Sequence, residues 1–310
     1  MSRPHAPGPG AGSPSAGDAL CAVVLAAGAG TRLRPLTAAV PKALCPVGNI
    51  ALLDRALAYL APLGLSGADR VAVNACYLAG QIVSHVDGRA YVSVEAPRAL
   101  GTSGAVANLR DWIGGRDVLV VNADAYLAGP GAAVPDLAPL LAGWTDRPAG
   151  PASGEDATAG RVRLLGVPAS PAEPYRFGTA RFAGASLLSW PVVRDLPAEP
   201  SDLVLTAWRP AERAGRLDVV TFAGVYLDAG TPADYLAANL HAARHGLLID
   251  PSAQVSGVLT EAVVGAGATV RGRVTRGVVW PHGYVGPDEH LVDAVRVGAT
   301  ITVPAGVVTG

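Results

Sequence analysis

The chain has 310 residues, which at roughly 100–200 residues per domain predicts two domains, or one domain with an appendage. Half of the residues are hydrophobic and only 16% are charged, so the composition supports a large core and excludes wholesale disorder. The formal net charge is −1. A general nucleic-acid binder usually has a basic excess, so we predict no nucleic-acid partner. The three cysteines, Cys21, Cys45 and Cys76, form no CxxC pair, so the sequence supports neither a disulfide framework nor a zinc ribbon.

The first residues carry two alternative interpretations. Residues 1–18 are rich in Pro and Gly, and an apolar stretch at Ala19–Ala26 follows them. The arrangement loosely resembles a secretory signal, but the stretch is short and leads into a glycine-rich loop. We therefore predict a disordered tail over 1–18 and a first buried strand after it. No apolar run reaches the roughly 20 residues that span a bilayer, so we predict no membrane association and a cytoplasmic location.

From residue 19 to about residue 246, apolar strands alternate with helical segments. Strands are predicted at Cys21–Ala26, Val71–Asn74, Tyr91–Glu95, Val118–Val121, Arg181–Ser189 and Asp218–Leu227. Helices are predicted at Ile50–Leu63, Ala79–Val86, Thr102–Trp112 and Pro232–His245. This alternation predicts an α/β fold with a doubly wound, mostly parallel sheet.

After residue 246 the helical periodicity stops. Short apolar steps broken by Gly follow one another over Ile249–Val303, in a degenerate hexapeptide rhythm. The rhythm predicts a short left-handed parallel β-helix, with an antiparallel meander as the alternative. We therefore predict three parts: the tail 1–18, an α/β domain over 19–246, and a β-helix over 247–310. The β-helix carries no catalytic motif, so we expect it to serve assembly or stability, possible homo-oligomer formation included.

The loop after the first strand has the character of a phosphate-binding loop. Residues 28–42 read GAGTRLRPLTAAVPK, with two glycines whose bare backbone N–H groups can approach a polyphosphate. A Rossmann dinucleotide loop needs a third glycine where this chain has Leu33, which also disfavours a nicotinamide-dependent dehydrogenase. A Walker loop needs a Gly-Lys pair, and Lys42 follows Pro41.

Lys42 is the single lysine of the chain, against 23 arginines. An ammonium is a compact point charge, whereas a guanidinium is larger and planar, so the two are not interchangeable beside phosphate. The survival of one lysine in an Arg-rich chain therefore indicates a specific role. We expect Lys42 to face a solvent-filled cleft and to contact phosphate.

The same segment closely resembles the signature of the sugar-1-phosphate nucleotidyltransferase family, G-x-G-T-R-x-x-P-x-T-x-x-x-P-K, at every fixed position. The sequences LGTSGA (100–105), VVNAD (120–124) and YLDAGTP (226–232) resemble further motifs of this family in the family's order. Ala123 and Tyr226 stand where the family usually has Gly and Trp. The resemblance covers about residues 19–246 and implies a Rossmann-like nucleotidyltransferase core.

The resemblance also implies a set of site residues. Arg32 and Lys42 would be the catalytic cations, and Asp124 and Asp228 would hold Mg²⁺. The nucleotide would be bound by Ala26, Ala27, Gly28, Gly30, Thr31, Gly101 and Thr102. Gly184, in the segment FAG, and Glu173 would contact the sugar. Many members have E-K-P before the sugar-pocket strand, but residues 172–176 read AEPYR, so the identity of the sugar stays open.

The implied reaction is NTP plus sugar 1-phosphate giving NDP-sugar and pyrophosphate. The layout around residues 178–188 is closer to the branch of N-acetylmuramate-1-phosphate uridylyltransferases. The added β-helix is closer to the mannose-1-phosphate guanylyltransferases. Substrates of either kind, GTP with mannose 1-phosphate or UTP with an amino-sugar 1-phosphate, remain open. The alternative is a non-catalytic regulatory subunit on the same fold, which typically loses one of the charged residues that this chain keeps.

His241 and His245 are four residues apart on a predicted helix, which is the spacing of a metal pair. The zinc motif HExxH fails because Ala242 follows His241. Cations near a helix C-terminus complement the macrodipole, so we interpret both histidines as structural.

Overall fold

The computed structural model describes residues 19–130, 134–144, 160–170, 173 and 176–306. The predicted tail over 1–18 lies outside the described residues. The strands of the α/β part are β1 (Leu20–Leu25), β2 (Pro46–Val47), β3 (Ile50–Ala51), β4 (Val71–Ala75), β5 (Tyr91–Val94), β6 (Asp117–Asn122), β7 (Ala125–Ala128), β8 (Val162–Pro168), β9 (Arg176–Phe177), β10 (Ala180–Leu188), β11 (Leu217–Thr221) and β12 (Val225–Asp228). The helices are α1 (Leu52–Leu60), α2 (Ala79–Val86), α3 (Gly101–Asn108), α4 (Arg110–Ile113), α5 (Ala138–Leu141), α6 (Trp190–Asp195), α7 (Arg209–Arg213) and α8 (Pro232–Ala242).

The α/β part is built on one mixed sheet with the strand order β11-β8-β10-β6-β1-β4-β5, and β9 pairs with β10. β1 is parallel to both β4 and β6, and β10 is antiparallel to both β6 and β8. Apolar clusters cover both faces: Cys21 and Val23 of β1 lie in one cluster, and Ala22 and Val24 in another. A sheet buried on both faces favours continuous apolar strands such as β1 and β6. The prediction of an α/β fold with a Rossmann-like sheet is confirmed, but the sheet is mixed, because β10 pairs antiparallel with β6, β8 and β9.

Several element boundaries differ from the predictions. The helix predicted over Thr102–Trp112 is two short helices, α3 and α4. The strand predicted over Asp218–Leu227 is also two elements, because β11 extends the main sheet while β12 pairs with β7 in a separate antiparallel ribbon. Strand periodicity alone did not reveal this change of partner, since both halves are β-rich. The sequence analysis missed β7 and β8 altogether.

The strands after α8 stack in two parallel ladders. They are β13 (Leu247–Ile249), β14 (Gln254–Val255), β15 (Val258–Val264), β16 (Thr269–Val270), β17 (Arg273–Val279), β18 (Tyr284–Val285), β19 (His290–Val297) and β20 (Ile301–Pro304). The pairings of β13, β15, β17 and β19 are parallel, as are those of β14, β16 and β18. Only β20, paired with β19, is antiparallel in these ladders among the described residues. The antiparallel meander is therefore wrong, whereas a left-handed β-helix stays a prediction.

The long strands of these C-terminal coils (residues 247–306) each bend at one residue. Glu261, Arg276 and Asp293 have φ of 50°, 50° and 44°, and the ladder pairing skips each of them. Non-glycine residues seldom adopt this left-handed conformation. Their side chains stack with alternating charge: the Arg276 guanidinium donates to Asp293 at 2.7 Å and to Glu261 at 3.5 Å. The ion pairs therefore lie along one corner of the coils.

The C-terminal coils share an apolar core with the α/β part. That core includes Leu33 and Val47 from the loops after β1, Tyr235 from α8, and Val278 and Trp280 from the coils. Tyr235 is fully buried, and the Trp280 indole N–H donates to its hydroxyl at 2.9 Å. The segment that carries the phosphate-binding motif therefore packs on an apolar core to which the coils contribute. No helix among the described residues is long and apolar enough to cross a membrane.

We expect Trp280→Ala to lower the free energy of unfolding by roughly 3–5 kcal/mol, because it leaves a cavity and removes the hydrogen bond that the Tyr235 hydroxyl accepts. Urea unfolding followed by circular dichroism measures this loss. Leu205→Ala is the control: that side chain is 71% exposed. We expect it to change the free energy by less than about 0.5 kcal/mol. Equal effects of the two substitutions would show that the shared core does not stabilise the protein.

Candidate active site

The loop after β1 opens to solvent at its glycines. Ala26 and Ala27 are buried, whereas Gly28 and Thr31 are exposed. A Cβ atom on Gly28 would meet no atom within 4 Å, so open space adjoins its backbone. Gly30 has a φ of 59°, and a Cβ there would lie 2.9 Å from the Cβ of Lys42. Gly30 therefore turns the loop and lets the Lys42 segment pack against it.

Lys42 begins a short 3₁₀ turn over Lys42–Leu44 and follows an extended Pro41. The Thr37 hydroxyl donates to the Gly30 carbonyl at 2.7 Å, which ties the two ends of the loop together. Only 9% of the Lys42 side chain is exposed. The expectation that Lys42 faces a solvent-filled cleft is therefore wrong. The loop packs around its stem, and only the ammonium end meets the acidic residues described next.

Two carboxylates come from the antiparallel ribbon of β7 and β12. Asp124 directly precedes β7, and Asp228 is the last residue of β12, where it pairs with Ala125. The Ala229 N–H also donates to the Asp124 carbonyl at 3.3 Å. Pairing between the strands thus places side by side two acids that are 104 positions apart in the sequence.

The Lys42 ammonium lies between these two carboxylates. Its Nζ is 2.7 Å from Asp124 Oδ2 and 3.4 Å from Asp228 Oδ1. Arg32 Nη2 is 3.6 Å from Asp228 Oδ2. Two cations and two anions therefore form one cluster that is nearly neutral. The structure brings together all four charged residues that the sequence analysis selected for catalysis and metal binding; their roles stay predictions.

The donor set of the cluster fits a divalent cation bound together with a substrate. The Asp124 and Asp228 side chains are 38% and 44% exposed, so a ligand can reach them. No group of three or more His, Cys, Asp or Glu side chains that could hold a metal exists among the described residues. Mg²⁺ is commonly held by one or two carboxylates with waters and substrate phosphates. Two aspartates suffice for such a site if the nucleotide supplies further oxygens.

Two buried polar residues that the sequence analysis missed connect the candidate nucleotide segments. Asn74 Oδ1 accepts a hydrogen bond from the Ala26 N–H at 2.7 Å, and the Asn74 amide donates to Glu95 at 2.8 Å. Glu95 in turn accepts from the Leu100 N–H at 2.7 Å. The Ala26 N–H is thus already satisfied, so a nucleoside could use only the Ala26 carbonyl. The sequence feature that could have revealed this connection is an Asn within the otherwise apolar strand β4.

Gly101 and Thr102 begin α3, and residues 199–203 lie against them. Gly101 has a φ of 71°, and a Cβ there would overlap the Ser201 carbonyl. The Thr102 hydroxyl accepts a hydrogen bond from the Leu203 N–H at 2.8 Å. These contacts show a structural role for both residues, since they fix the start of α3. Their predicted contact with the nucleotide has no counterpart in the geometry and stays a prediction.

An arginine that the sequence analysis did not select lies near the two residues predicted to bind sugar. Gly184, with a φ of 79°, lies at a bulge of β10, and its missing side chain makes room for Ala125 beside Asp124. Glu173 Oε2 is 3.5 Å from Arg181 Nε. The Arg181 guanidinium lies 5.1 Å from the centre of the Tyr226 ring. Arg181 therefore supplies a cation near the ribbon in a chain that lacks the E-K-P lysine.

The mixed sheet, the glycine loop and the cluster on the ribbon can be compared with known proteins. Residues 21–138 match the family model described as "Nucleotidyl transferase". The resemblance identified from the motifs is confirmed. Proteins of this family generally use a divalent metal ion.

Three similar proteins with curated names are two uridylyltransferases and a guanylyltransferase. An N-acetylmuramate alpha-1-phosphate uridylyltransferase from Caulobacter vibrioides is 29% identical over 72% of this chain and 97% of its own length. A protein of the same name from Neisseria meningitidis serogroup B is 37% identical, over 33% of this chain and 46% of its own length. A mannose-1-phosphate guanylyltransferase from Mycobacterium tuberculosis is 35% identical, over 39% of this chain and 32% of its own length.

Solved structures share the fold. A Bacillus anthracis protein, provisionally assigned as a glucose-1-phosphate thymidylyltransferase and crystallised with sucrose, matches with a TM-score of 0.58 and 18% identity. The match covers 72% of this chain and 95% of that one. HddC from Yersinia pseudotuberculosis, complexed with GMP-PN, matches with a TM-score of 0.52 and 20% identity over 70% and 97% of the two chains.

Substitution of the two loop glycines by alanine should give different results. Gly30→Ala should lower the free energy of unfolding by at least about 1–2 kcal/mol, because of its left-handed φ and its contact with Lys42. Gly28→Ala should change it by less than about 0.5 kcal/mol, since the space beside it is open. If the Gly28 backbone approaches a nucleotide, Gly28→Ala should instead raise the KM for NTP. Urea unfolding and steady-state kinetics on both variants test this, and equal losses of stability would contradict it.

Proposed function

We propose that the protein transfers a nucleoside monophosphate from an NTP to a sugar 1-phosphate, giving an NDP-sugar and pyrophosphate. The observation that carries the proposal is the single cluster of Arg32, Lys42, Asp124 and Asp228 beside a glycine loop. The family match and the names of the similar proteins support it. A non-catalytic regulatory subunit is disfavoured, because all four charged side chains are present and converge.

The chemistry needs positioning and charge neutralisation rather than a covalent intermediate on the protein. An oxygen of the sugar phosphate attacks the α-phosphorus of the NTP and forms the new P–O bond. The bond from the α-phosphorus to the bridging oxygen of the β-phosphate breaks, and that oxygen leaves with pyrophosphate. Lys42 would stabilise charge at the α-phosphoryl oxygens, and the exposed Arg32 would neutralise the leaving pyrophosphate.

Asp124 and Asp228 would hold Mg²⁺ when substrates are bound, and the ion would neutralise phosphate charge and align the two substrates. In its absence the Lys42 ammonium keeps the two carboxylates together, since like charges at this separation repel. Bound substrate phosphates would then compete with the carboxylates for the same ammonium. Lys42 would thereby both preform the acidic pair and contact the nucleotide.

The sugar 1-phosphate would lie at Gly184 and Glu173, with Arg181 near its phosphate. Glu173 pairs with Arg181, and Gly184 packs directly against Ala125 of the ribbon. We favour UTP with an amino-sugar 1-phosphate over GTP with mannose 1-phosphate, because the uridylyltransferase from Caulobacter vibrioides is similar over 97% of its length. The mannose-1-phosphate guanylyltransferase is similar over only 32%.

The division into a catalytic domain (19–246) and a short left-handed β-helix (247–310) is also part of the proposal. The parallel ladders and the bends at residues 261, 276 and 293 support a β-helix. The shared core with Tyr235 and Trp280 supports a stabilising role for it. A homo-oligomer formed through the outer surface of the coils is a further expectation, which sedimentation of the full chain tests.

A pyrophosphate-release assay over a grid of NTPs and sugar 1-phosphates tests the proposed reaction. The grid pairs UTP, GTP, dTTP, CTP and ATP with the 1-phosphates of N-acetylmuramate, N-acetylglucosamine, mannose and glucose, each with Mg²⁺. We expect turnover that depends on both substrates, with the fastest rate for UTP and N-acetylmuramate 1-phosphate. Absence of pyrophosphate release from every pair would overturn the proposed function.

Removal of the metal ligands should abolish most turnover. We expect EDTA to stop pyrophosphate release, and Asp124→Asn and Asp228→Asn each to lower kcat by at least about 100-fold, near 3 kcal/mol in the barrier. Asp69→Asn, at an exposed aspartate before β4, is the matched control and should keep wild-type kinetics. Near-normal turnover of either cluster variant at saturating substrate would refute the metal assignment.

Lys42→Arg keeps the charge but should lose activity. The stem of Lys42 is enclosed, and its Cβ lies close to Gly30, so a longer planar guanidinium has to displace its surroundings. We expect kcat/KM to fall about tenfold or more, near 1.4 kcal/mol, and thermal stability to fall as well. Arg271→Lys at an exposed position of the coils is the control and should change neither. Wild-type kinetics for Lys42→Arg would mean that only the charge of Lys42 matters.

Arg181→Gln should act on the sugar substrate alone. If Arg181 meets the sugar phosphate, its loss removes a charge-assisted hydrogen bond worth about 1.5–3 kcal/mol. The KM for sugar 1-phosphate should then rise about tenfold or more, while the KM for NTP stays unchanged. Arg176→Gln, at the neighbouring arginine of β9, is the comparison. A larger effect of Arg176→Gln would indicate that Arg176, and not Arg181, takes the role of the lysine in the family's E-K-P motif.

A further inference from the structure

A cavity outside the candidate active site lies where the β7–β12 ribbon meets the end of α8 and the first of the C-terminal coils. Its volume is about 770 Å³, within the range of roughly 300–1,000 Å³ that is usual for small-molecule sites. Tyr126 and Val225 of the ribbon, Arg55 of α1 and His241 of α8 contribute to its lining. None of the cluster residues Arg32, Lys42, Asp124 or Asp228 does so. The cavity is therefore distinct from the candidate active site.

The charged groups that line this cavity are all basic. They are Arg55, Arg244, His241 and His245, and no Asp or Glu lines the cavity in the part of the chain that the structure describes. The Arg55 guanidinium donates to the Val47 carbonyl and lies 5.3 Å from the centre of the Tyr126 ring. Across the described residues, neither arginine has a carboxylate partner. Two permanent positive charges thus lie beside the same cavity without compensation.

Each of the two histidines has a polar neighbour. The Tyr126 hydroxyl and His241 Nδ1 are 2.9 Å apart, and His245 Nδ1 is 4.0 Å from Glu261 of the coils. Burial, and then the nearby His245, lower the pKa of His241. A bound anion would remove that penalty, because it compensates the charge of a protonated ring.

The helix macrodipole explains only part of this arrangement. Arg244 and His245 follow the end of α8, where cations are favourable for the helix alone. Arg55, however, comes from α1, and Tyr126 comes from the ribbon, so the polar groups converge from separate elements. Apolar side chains, among them Ile50, Val225 and Leu248, complete the lining. Convergent cations on a partly apolar cavity are typical of a site for an anionic organic molecule.

We propose that this cavity binds a small phosphate-bearing molecule, at a site separate from that of the nucleotide and the sugar 1-phosphate. The two arginines would contact the phosphate, and the apolar wall would contact the rest of the molecule. The volume far exceeds that of a phosphate ion, so the ligand has a body of sugar or nucleoside size. Such a ligand would contact the ribbon that carries Asp124 and Asp228. The proposal is independent of the proposed reaction.

Binding can be measured at the histidines themselves, without any activity assay. The probe is inorganic phosphate, added to full-length protein labelled with ¹⁵N-histidine, and the readout is the ring signals of His241 and His245. Sodium chloride at matched ionic strength is the reference. We expect phosphate to shift both sets of signals in a saturable manner, while those of His85 and His290, which do not line the cavity, stay unchanged. Single His→Gln variants assign each ring signal to one histidine, so the measurement reports on the cavity alone.

Three arginine variants then locate the phosphate. Arg244→Gln should weaken its binding about tenfold or more, as expected for the loss of a charge-assisted contact. Arg271→Gln, at an exposed arginine of the coils, should leave the titration midpoint unchanged. Arg32→Gln should also leave it unchanged, since that residue belongs to the candidate active site. Arg244 is exposed, so its variant should fold, and circular dichroism verifies this.

Two results would overturn the proposal. One is that the His241 and His245 signals do not respond to millimolar phosphate, or respond equally to chloride, which would indicate a general salt effect. The other is that Arg244→Gln and Arg271→Gln have the same titration midpoint, or that Arg32→Gln removes the response. The phosphate would then act from the surface or from the active site. Neither result would bear on the proposed nucleotidyl transfer, which the pyrophosphate assay tests by itself.

Discussion

The site depends on one buried ammonium placed between two carboxylates. Lys42 Nζ lies 2.7 Å from Asp124 and 3.4 Å from Asp228, and its stem is enclosed by the loop that starts at Gly30. Without this charge the two aspartates would repel each other, and the ends of the β7–β12 ribbon would carry uncompensated negative charge. In the proposed reaction, the same charge would make the carboxylates available as a pair to a metal ion that arrives with a nucleotide. Local packing at Gly30 and the electrostatics of catalysis are therefore linked through a single side chain.

The ribbon connects this interaction to the rest of the molecule. β12 leaves the main sheet after β11 and pairs with β7, which brings Asp228 beside Asp124. Gly184 on β10 leaves room for Ala125 and so allows the ribbon to approach the main sheet. The opposite face of the ribbon adjoins the basic cavity near α8. The two proposed binding regions thus share one two-stranded element, which would connect them.

The C-terminal coils support this arrangement instead of forming a detached appendage. Their apolar residues join a core that also contains Leu33 and Val47 from the loop region after β1. Trp280 and Tyr235 fix α8 against the coils by a buried hydrogen bond. Stability and site geometry are therefore coupled, because the loop that positions Lys42 lies on the surface of the same core. Loss of the coils would expose the apolar core on which the loop of the site packs.

The sequence by itself determined the strand-and-helix alternation, the glycine loop and the four charged residues, because hydrophobic periodicity and contiguous motifs are local properties of the chain. It also predicted repeated short strands after α8. Tertiary structure alone decided that β12 leaves the main sheet, that Lys42 is enclosed, and that Asn74 and Glu95 connect the loop after β1 to the start of α3. The same holds for the cavity that joins Arg55 to His241 across nearly two hundred positions. These features arise from contacts between segments that are distant in the sequence. The residue pattern of one segment does not specify the segment against which it packs.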